Sequence, residues 1–228
     1  MPMRGVILAA GRGRRMGHYT DDVPKAFLEF DGRTLYDRQR ALLEPHVDRT
    51  SVVLGYRHET VVDRFDPADP IVLHDWERYE NAASLLLALR RIDDDVLVLN
   101  GDVLVDAREV GWLTDQFDAL AGRLNLVGCI PGLQNGETAI RWDELGRVTD
   151  YGLIEGHQHA GVGIVSRRHQ ETAIRILRER VDDWYPCVYP RTPTRPSLLP
   201  ADHHVEINRP TDLERARAWL ASDQIRCS

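Results

Sequence analysis

An apolar run at residues 6–10, Val-Ile-Leu-Ala-Ala, leads straight into a loop at residues 11–17 that carries three glycines and three arginines. The run has the composition of a buried β-strand. Exposed backbone N–H groups and guanidinium groups in such a loop can converge on the oxygen atoms of a phosphate. The stretch therefore predicts a phosphate-binding loop directly after a β-strand, and the fold has to place the two together.

Two common phosphate-binding motifs fit this loop poorly. A Walker A loop needs Gly-Lys followed by Ser or Thr, whereas Gly17 is followed by His18 and the lysine comes eight positions after Gly17. The dinucleotide-binding fingerprint needs a glycine where Met16 stands and a helix immediately afterwards, whereas residues 19–24 have the composition of irregular chain. The loop is therefore typical of neither class.

Leu-Ala-Ala-Gly-x-Gly-x-Arg-Met at residues 8–16, followed by Pro24-Lys25, resembles the signature of the nucleotidyltransferase family that makes nucleotide-activated sugars and alcohols. The resemblance implies that the loop wraps a triphosphate, and that Arg15 and Lys25 are catalytic cations that bind it. The nucleotide-binding residues that it implies in this region are Leu8, Ala10, Gly11, Gly13, Arg14, Arg15 and Lys25.

Composition also distinguishes Lys25. The chain has 29 Lys plus Arg residues, and Lys25 is its single lysine. A compact ammonium on a flexible stem differs chemically from a planar guanidinium. The occurrence of the single lysine at the motif position therefore favours a functional interpretation over coincidence.

Length and composition indicate one domain. A chain of 228 residues with 43% hydrophobic content can bury a sizeable core. We expect a single domain over 1–228, with the nucleotide bound in the half at about 1–120 and the acceptor in the half at about 121–228. Cys129, Cys187 and Cys227 have no paired spacing, which predicts thiols rather than zinc ligands or disulfides.

Charge and hydropathy limit the partners. The net charge of -7 argues against a nucleic-acid partner. No run of eighteen apolar residues exists, and the first strand begins too early for a signal peptide, so we expect a cytoplasmic protein without a membrane partner. The sequence leaves open whether the protein forms a homodimer.

Hydrophobic periodicity alternates between strand and helix through the first 120 residues. It predicts strands at 50–54, 71–73 and 96–99 and helices at 35–43, 58–65, 82–91 and 110–120. This βαβαβ order predicts a parallel sheet with right-handed crossovers. The second half is mixed, with strands at 124–130, 138–142 and 161–165, a helix at 171–180, a proline-rich surface loop at 186–200, a strand-like stretch at 205–207 and a helix at 211–220.

These patterns and the resemblance together predict the fold class. It is an α/β fold, Rossmann-like, with three α/β/α layers and a mostly parallel mixed central sheet, as in nucleotide-diphospho-sugar transferases. Ligands of open α/β sheets bind at the carboxyl ends of the strands.

Asn100-Gly101-Asp102 follows the most apolar predicted strand. A carboxylate there suits Mg²⁺, which prefers one or two carboxylates together with phosphate oxygens and water. We therefore predict Asp102 as a catalytic metal ligand and Gly101 as part of the nucleotide site. A simple turn is the alternative for the dipeptide taken alone, and Asp106 is a weaker metal candidate because it can cap the following helix.

Asn208 is the candidate for a second metal contact. Many relatives have an aspartate at the matching end of a late strand, and the resemblance places Asn208 there. An amide oxygen can coordinate Mg²⁺ but adds no charge. The alternative, that Asn208 only shapes the chain before Arg209-Pro210, has equal support.

Asn81-Ala82-Ala83-Ser84-Leu85 bears on the base. We predict Asn81 as the N-cap of the following helix. The Asn-x-x-Ser-Leu run resembles the phosphocholine cytidylyltransferase branch of the family, which implies CTP as the nucleotide, with Asn81 and Ser84 in or near the base pocket. Cytosine presents a donor amine beside an acceptor nitrogen, which short amide or hydroxyl side chains can bind.

The acceptor region is predicted from the same branch. Asp182, Trp184, Tyr185 and Glu206 match the region where the branch holds a quaternary ammonium, and an aromatic face beside carboxylates suits a small cation. The alternative is that Trp184 and Tyr185 only anchor the proline-rich loop. One tryptophan expected in a choline pocket is missing, since Asn-Gly-Glu-Thr stands at 135–138. We therefore expect a primary ammonium to bind at least as well as a trimethylated one.

The remaining histidines give no metal site. His157, His159, His203 and His204 lack a nearby third ligand and are expected to be solvated loop residues.

The implied activity is Mg²⁺-dependent transfer of CMP from CTP to a small phosphorylated or phosphonylated alcohol or amine, with release of pyrophosphate. Positioning and electrostatics carry such reactions. Two alternatives stay open. One is a sugar-1-phosphate nucleotidyltransferase that uses UTP, dTTP or GTP, and the other is a non-catalytic nucleotide-sensing domain of the same fold, which Asn208 favours.

Overall fold

The computed structural model describes residues 2–134 and 138–226. The helices are Leu35–Leu43 (α1), His58–Phe65 (α2), Asn81–Leu89 (α3), Ala107–Ala119 (α4), Gln170–Glu179 (α5) and Pro210–Arg226 (α6). The strands are Met3–Ala9 (β1), Glu29–Phe30 (β2), Arg33–Thr34 (β3), Arg49–Leu54 (β4), Pro70–Val72 (β5), Asp95–Asn100 (β6), Val103–Val105 (β7), Asn125–Gln134 (β8), Ala139–Trp142 (β9), Val148–Gly152 (β10), Gly156–Val165 (β11), Thr194–Leu198 (β12) and His204–Glu206 (β13). None of the helices in these ranges combines the length and apolar composition that crossing a bilayer needs.

Nine strands form one mixed sheet. Its central part is parallel, in the order β6-β1-β4-β5. β11 lies antiparallel beside β6 and, on its other edge, antiparallel beside β8, which pairs in parallel with β12. The antiparallel pair β9 and β10 joins the beginning of β11. The predicted parallel first half and mixed second half are confirmed.

Both faces of the sheet are covered by helices. Successive residues of β1 point to opposite faces, so Ile7 packs in a core with residues of α1, α2, α4 and α6. Val6 and Leu8 pack in a second core with residues of α3 and α5. This explains why β1 reads as a continuous apolar run. The arrangement is the predicted three-layer α/β/α fold.

Local signals fix the starts of the helices that follow the loops. α1 begins with a capping box, in which Thr34 Oγ1 accepts a hydrogen bond from Asp37 N at 3.0 Å and Asp37 Oδ2 accepts one from Thr34 N at 3.2 Å. Asp106 caps α4, as its alternative role predicted, by accepting a hydrogen bond from Arg108 N at 2.8 Å.

The prediction of a surface loop at 186–200 is wrong. Tyr185–Arg191 form a 3₁₀ helix, in which Tyr185 and Tyr189 are fully buried, and Thr194–Leu198 form β12. Pro196 fits into β12 because this strand, within the described residues, pairs on one side only, with β8. The prolines therefore mark a sheet edge and a short helix rather than irregular chain.

Two cysteines are free thiols, as predicted, and both are buried. Cys129 and Cys187 are free and buried in the second core. Burial raises the pKa of the Cys187 thiol to about 12 and raises the pKa of Cys129 as well. Cys227 lies outside the described residues.

Candidate functional site

The loop at residues 11–17, which we call the glycine-arginine loop, follows β1 and packs against Lys25. Gly13 adopts φ 76°, and a Cβ atom at this position would lie 2.8 Å from Lys25 Cβ. Both the positive φ and the close approach require glycine. Lys25 therefore rests directly against the loop, at the start of the 3₁₀ helix Lys25–Phe27.

Lys25, Asp102 and Asn208 meet at one point. The ammonium Nζ of Lys25 lies 2.8 Å from Asp102 Oδ2 and 3.1 Å from Asn208 Oδ1. Arg15 Nη2 donates to the same amide oxygen of Asn208 at 2.7 Å. Residues separated by more than 180 positions are thus joined into a cluster of two cations, one carboxylate and one amide.

Short strands bring this cluster together. β7 pairs antiparallel with β13, and Val103 lies opposite Glu206 in the register. Asp102 immediately precedes β7 and Asn208 lies two residues after the end of β13, so this pairing brings them close together. Gly101 permits the tight exit from β6, because a Cβ there would lie 2.6 Å from the carbonyl oxygen of Leu8.

The amide of Asn208 has a defined orientation. Its Oδ1 atom accepts from the two cations, and its Nδ2 atom donates to Glu206 Oε1 at 2.6 Å. The reversed amide would face both cations with its donor. The oxygen atom is therefore the one on the side of Asp102.

Two cavities open on either side of this cluster and share Asn81, Asn100 and Asp102. The cavity that contains most of the residues predicted to bind the nucleotide, which we call the nucleotide-side cavity, has a volume of about 250 Å³ and is lined by Leu8, Ala9, Gly11, Gly13, Lys25, Ala26, Glu80, Asn81, Asn100, Gly101 and Asp102. The cavity that contains the predicted acceptor residues Trp184 and Glu206, which we call the acceptor-side cavity, has a volume of about 400 Å³ and is lined by Arg15, Asn81, Asn100, Asp102, Val103, Thr138, Tyr151, Leu153, Gln158, His159, Gly161, Trp184, Pro186, Glu206 and Asn208.

Most of the residues predicted for the nucleotide site line the nucleotide-side cavity, but four do not. Ala10 is buried, and its carbonyl oxygen accepts a hydrogen bond from Tyr56 N at 2.9 Å. Arg14 is exposed, and Arg15 lines the acceptor-side cavity. Ser84 is 3% exposed and lines neither cavity, because it lies on the covered side of α3.

Arg12 is held by protein groups. Its Nη2 atom lies 2.6 Å from Asp21 Oδ1, and its guanidinium lies 5.4 Å from the centre of the Tyr56 ring. Arg12 therefore belongs to the outer side of the loop and not to the cluster at Lys25.

The predicted N-cap role of Asn81 is wrong. Glu80 occupies the N-cap position of α3 without a side-chain cap, and Asn81 is the first residue of the helix. Asn81 Oδ1 accepts a hydrogen bond from Tyr185 N at 2.7 Å. Two further hydrogen bonds join the same two segments. Glu80 N donates to Val181 O and Ala82 N donates to Asp183 O, both at 3.2 Å. We call these three bonds the α3 seam.

The predicted acceptor residues divide into two pairs. Trp184 and Glu206 line the acceptor-side cavity, and Trp184 Nε1 donates to Glu80 Oε2 at 3.2 Å. Asp182 is exposed outside the cavity lining. Tyr185 is fully buried, so its predicted role as a cation-binding face is wrong.

The floor of the acceptor-side cavity contains two residues that the sequence did not indicate, Tyr151 and His159. Tyr151 Oη is buried without a hydrogen-bond partner among the described residues, and burial raises the pKa of this phenol above its usual value. His159 Nε2 lies 3.3 Å from Tyr185 Oη. Their strand register, not a motif, brings them here, so a single sequence gave no signal for them.

The prediction of solvated loop histidines is wrong in part, because His157 lies in β11 rather than in a loop and two of the four residues are buried. His159 lies in β11 and His204 in β13, and both are buried. Burial lowers the pKa of His159 to about 3 and that of His204 to about 4. Both rings are therefore neutral at physiological pH.

We expect the buried histidines to make stability depend on pH. In the unfolded chain, histidine takes up a proton as the pH falls through about 6.5, whereas folded His159 resists protonation down to a pKa of about 3. Stability is therefore lost as the pH falls from about 6.5 towards 3. Between pH 7 and pH 5, the free energy of unfolding should fall by about 2 kcal/mol more in the wild type than in His159→Gln. Urea unfolding at both pH values measures this.

His18→Gln is the control for this measurement, because His18 is exposed. It should lose as much stability as the wild type over the same interval. Equal losses in the wild type and His159→Gln would contradict a neutral buried His159.

The cluster offers oxygen ligands that suit a divalent cation. Asp102 Oδ1 is buried and has no hydrogen-bond partner among the described residues, while Asp102 Oδ2 and Asn208 Oδ1 contact the same ammonium. One carboxylate and one amide oxygen beside a cavity for phosphate fit the preference of Mg²⁺. No group of three or more His, Cys, Asp or Glu side chains placed to hold a metal occurs in the described part of the chain.

Comparisons with known proteins place the chain among nucleotide transferases. The family model described as the MobA-like NTP transferase domain matches residues 5–147. UTP–glucose-1-phosphate uridylyltransferase AglF of Haloferax volcanii is 25% identical over 195 residues, which cover 82% of this chain and 74% of AglF. The bifunctional protein GlmU of Methanococcus maripaludis is 24% identical over 172 residues, which cover 74% of this chain but 36% of GlmU. The chain therefore spans about a third of that relative.

Two solved structures have the same fold. The CTP:phosphocholine cytidylyltransferase of Streptococcus pneumoniae superposes with a TM-score of 0.79 at 16% identity, covering 96% of this chain and 100% of that chain. The inositol-1-phosphate CTP transferase of T. maritima superposes with a TM-score of 0.74 at 20% identity, covering 96% of this chain and 94% of that chain. The predicted fold class is confirmed.

Proposed function

The chain belongs to the family of MobA-like NTP transferase domains, and we propose that it is a Mg²⁺-dependent cytidylyltransferase. It transfers CMP from CTP to a small phosphorylated or phosphonylated amine or alcohol and releases pyrophosphate. The nucleotide occupies the nucleotide-side cavity, in the half at about 1–120, and the acceptor reaches it from the half at about 121–228.

The observation that carries the proposal is the cluster of Arg15, Lys25, Asp102 and Asn208 at the junction of two cavities. An acceptor phosphate in one cavity can approach the α-phosphorus of a nucleotide in the other from the side opposite the pyrophosphate. Such a reaction needs alignment and charge stabilisation more than covalent catalysis. A phosphate or phosphonate dianion is already a nucleophile at neutral pH, so no general base is required.

Two cations stabilise the charge that develops. Lys25 lies against the glycine loop and can follow the phosphates of the nucleotide, and Arg15 lines the acceptor-side cavity, where it can bind the incoming anion. Asp102 and Asn208 would hold Mg²⁺, which, when bound, neutralises phosphate oxygens. Lys25 and Arg15 now contact these two ligands, so binding of the nucleotide replaces cation contacts within the protein by contacts with phosphate.

Asn81 supports a pyrimidine nucleotide in the nucleotide-side cavity. Because its Oδ1 atom accepts from Tyr185 N, its Nδ2 donor is available to the nucleotide-side cavity. A fixed amide donor suits acceptor atoms of cytosine and of uracil alike, so it supports a pyrimidine base, and the choice of CTP rests on the family resemblance. The two superposed structures are described as CTP enzymes, which is consistent with this choice.

Acidic and aromatic groups support an amine on the acceptor. Trp184 and Tyr151 line the acceptor-side cavity, with Glu206 on the same surface and Glu80 bonded to Trp184 Nε1. An aromatic face beside carboxylates attracts a small cation. With Tyr185 buried, the aromatic wall is smaller than a cage for a trimethylated group, which favours a primary ammonium.

One observation favours a second candidate function. AglF, a uridylyltransferase by its name, aligns with most of this chain. A sugar-1-phosphate nucleotidyltransferase that uses UTP is therefore the alternative. A non-catalytic sensor is disfavoured, because the side chains of Lys25, Asp102 and Arg15 converge at the junction of the cavities.

A pyrophosphate-release assay tests the function. We expect activity with CTP above UTP, GTP and ATP, and with aminoethylphosphonate or phosphoethanolamine at least as good as phosphocholine. Trp184→Ala should raise the KM of the acceptor far more than the KM of CTP. Trp112→Ala, at an exposed position on α4, is the control and should change neither constant.

Two results would contradict parts of the proposal. A wild-type preference for UTP with a sugar 1-phosphate would move the protein to the alternative function. Activity with uncharged polyol phosphates alone, together with an unchanged acceptor KM in Trp184→Ala, would overturn the amine-binding role.

A further inference from the structure

The turn that presents Asp102 is restrained by its backbone on several sides. Gly101 N donates to the carbonyl oxygen of Leu8 at 2.9 Å, which ties the turn to the end of β1. The carbonyl oxygen of Asp102 accepts from Ile207 N at 2.8 Å, which ties it to the chain after β13. Both contacts are hydrogen bonds between main-chain atoms. Neither involves the carbonyl oxygens of Asn100 and Val103, which lie at the two ends of the turn.

The carbonyl oxygens of Asn100 and Val103 are both bound by one side chain, that of Gln39 in α1. Its Nε2 atom donates to Asn100 O at 2.7 Å and to Val103 O at 2.7 Å. Gln39 is 0% exposed. A single amide group thus spans the turn from the last residue of β6 to the first residue of β7.

The orientation of this amide follows from its partners. Only the NH₂ group can donate to two carbonyl oxygens, and the reversed amide would place three oxygens together. Gln39 Oε1 is buried and has no hydrogen-bond partner among the described residues. A buried amide oxygen without a partner is costly. The two hydrogen bonds to the turn are therefore kept at the expense of an unsatisfied acceptor, Gln39 Oε1.

We propose that Gln39 is a positioning residue that holds the Asp102 turn in the geometry that a divalent cation requires. The inference rests on the proposed function, because it takes Asp102 as a metal ligand. Gln39 does not line either cavity and does not contact Asp102 through its side chain. It acts through the backbone, by fixing the separation of the two ends of the turn and hence the direction of the carboxylate.

Substitution by methionine isolates this role. Gln39→Met keeps the length of the side chain and its packing in α1 but removes both donated hydrogen bonds. The carbonyl oxygens of Asn100 and Val103 then lose their partner, and the turn can relax. Removal of groups that orient metal ligands typically weakens metal affinity or activity by roughly 10- to 100-fold.

Gln170→Met is a matched control. Gln170 is a buried glutamine at the start of α5, and its Nε2 atom also donates to a main-chain carbonyl oxygen, that of Asp94. Neither Gln170 nor Asp94 lines a cavity next to Asp102. Both variants lose a buried hydrogen bond and should lower the melting temperature.

The experiment compares metal dependence in the two variants. The Mg²⁺ concentration for half-maximal turnover is measured, and CTP binding is measured by calorimetry at fixed Mg²⁺ without acceptor, so that no turnover occurs. In Gln39→Met, we expect the Mg²⁺ requirement to rise about tenfold or more and CTP binding to weaken several-fold. In Gln170→Met, both should stay within about twofold of the wild type.

An unchanged Mg²⁺ requirement and unchanged CTP binding in Gln39→Met, at a lowered melting temperature, would overturn the proposal and leave Gln39 a purely structural residue. If Gln39→Met does not fold, Gln39→Asn gives the same comparison, since its uncharged amide is one methylene shorter and cannot span both carbonyl oxygens. Failure of the proposed function would be visible separately, as a wild type that releases no pyrophosphate from CTP. Binding of Mn²⁺ alone, followed by electron paramagnetic resonance, would then compare the same three proteins.

Discussion

Lys25→Ala is expected to lower kcat/KM by roughly a hundredfold or more, because it removes one preorganised charge contact from the transition state. Lys25→Arg should not restore the activity. The ammonium fits between Asp102 Oδ2 and Asn208 Oδ1, at 2.8 and 3.1 Å, and its side chain is only 12% exposed. A planar guanidinium is wider and cannot take the same point between two phosphate groups. Steady-state kinetics with CTP and the best acceptor measure both variants.

The control is Arg175→Ala, an exposed cation on α5, which should behave as the wild type. Turnover of Lys25→Arg close to that of the wild type would show that any cation suffices. The role assigned to the single lysine would then be wrong.

Asp102→Ala is expected to abolish most activity at any Mg²⁺ concentration, because it removes the only carboxylate proposed as a metal ligand. Asn208→Asp should instead strengthen Mg²⁺ binding, since it adds a negative charge beside Asp102. The Mg²⁺ concentration for half-maximal rate should therefore be lower than in the wild type. Asn208 Nδ2 donates to Glu206 Oε1 at 2.6 Å, so the new carboxylate also repels Glu206. The double variant Glu206→Gln/Asn208→Asp relieves this repulsion.

A Mg²⁺ titration of the initial rate distinguishes these variants. The double variant should need less Mg²⁺ than Glu206→Gln alone, which is its matched reference. Identical titration curves for Asn208→Asp and the wild type, and for the two Glu206→Gln variants, would mean that residue 208 does not touch the metal.

The parts of the site that follow strands in sequence could be predicted without a structure. The glycine-arginine loop after β1 identified the family, and the family model confirms it. The position of Asp102, two residues after the end of β6, follows from the apolar run at 96–99, which predicts this strand. Local sequence carries the required information in both cases.

The parts that depend on contacts between distant segments could not be predicted. Asn81 has the residue type of a helix cap, but its oxygen is used by Tyr185 N, 104 positions away. The sequence predicts His159 in a solvated loop and Tyr185 at a cation-binding face, yet strand register and core packing bury both. Gln39 gave no signal at all, because a glutamine in an amphipathic helix usually faces water. Tertiary context overrides residue type at these positions.

The α3 seam bears on how acceptor specificity can be changed by engineering. Its three hydrogen bonds join the first turn of α3, which borders both cavities, to residues 181–185, which include Trp184. A segment grafted at 181–185 from a relative would break these bonds unless its backbone met Glu80, Asn81 and Ala82 in the same register. A successful graft therefore has to carry residues 80–82 together with 181–185, as one two-part cassette.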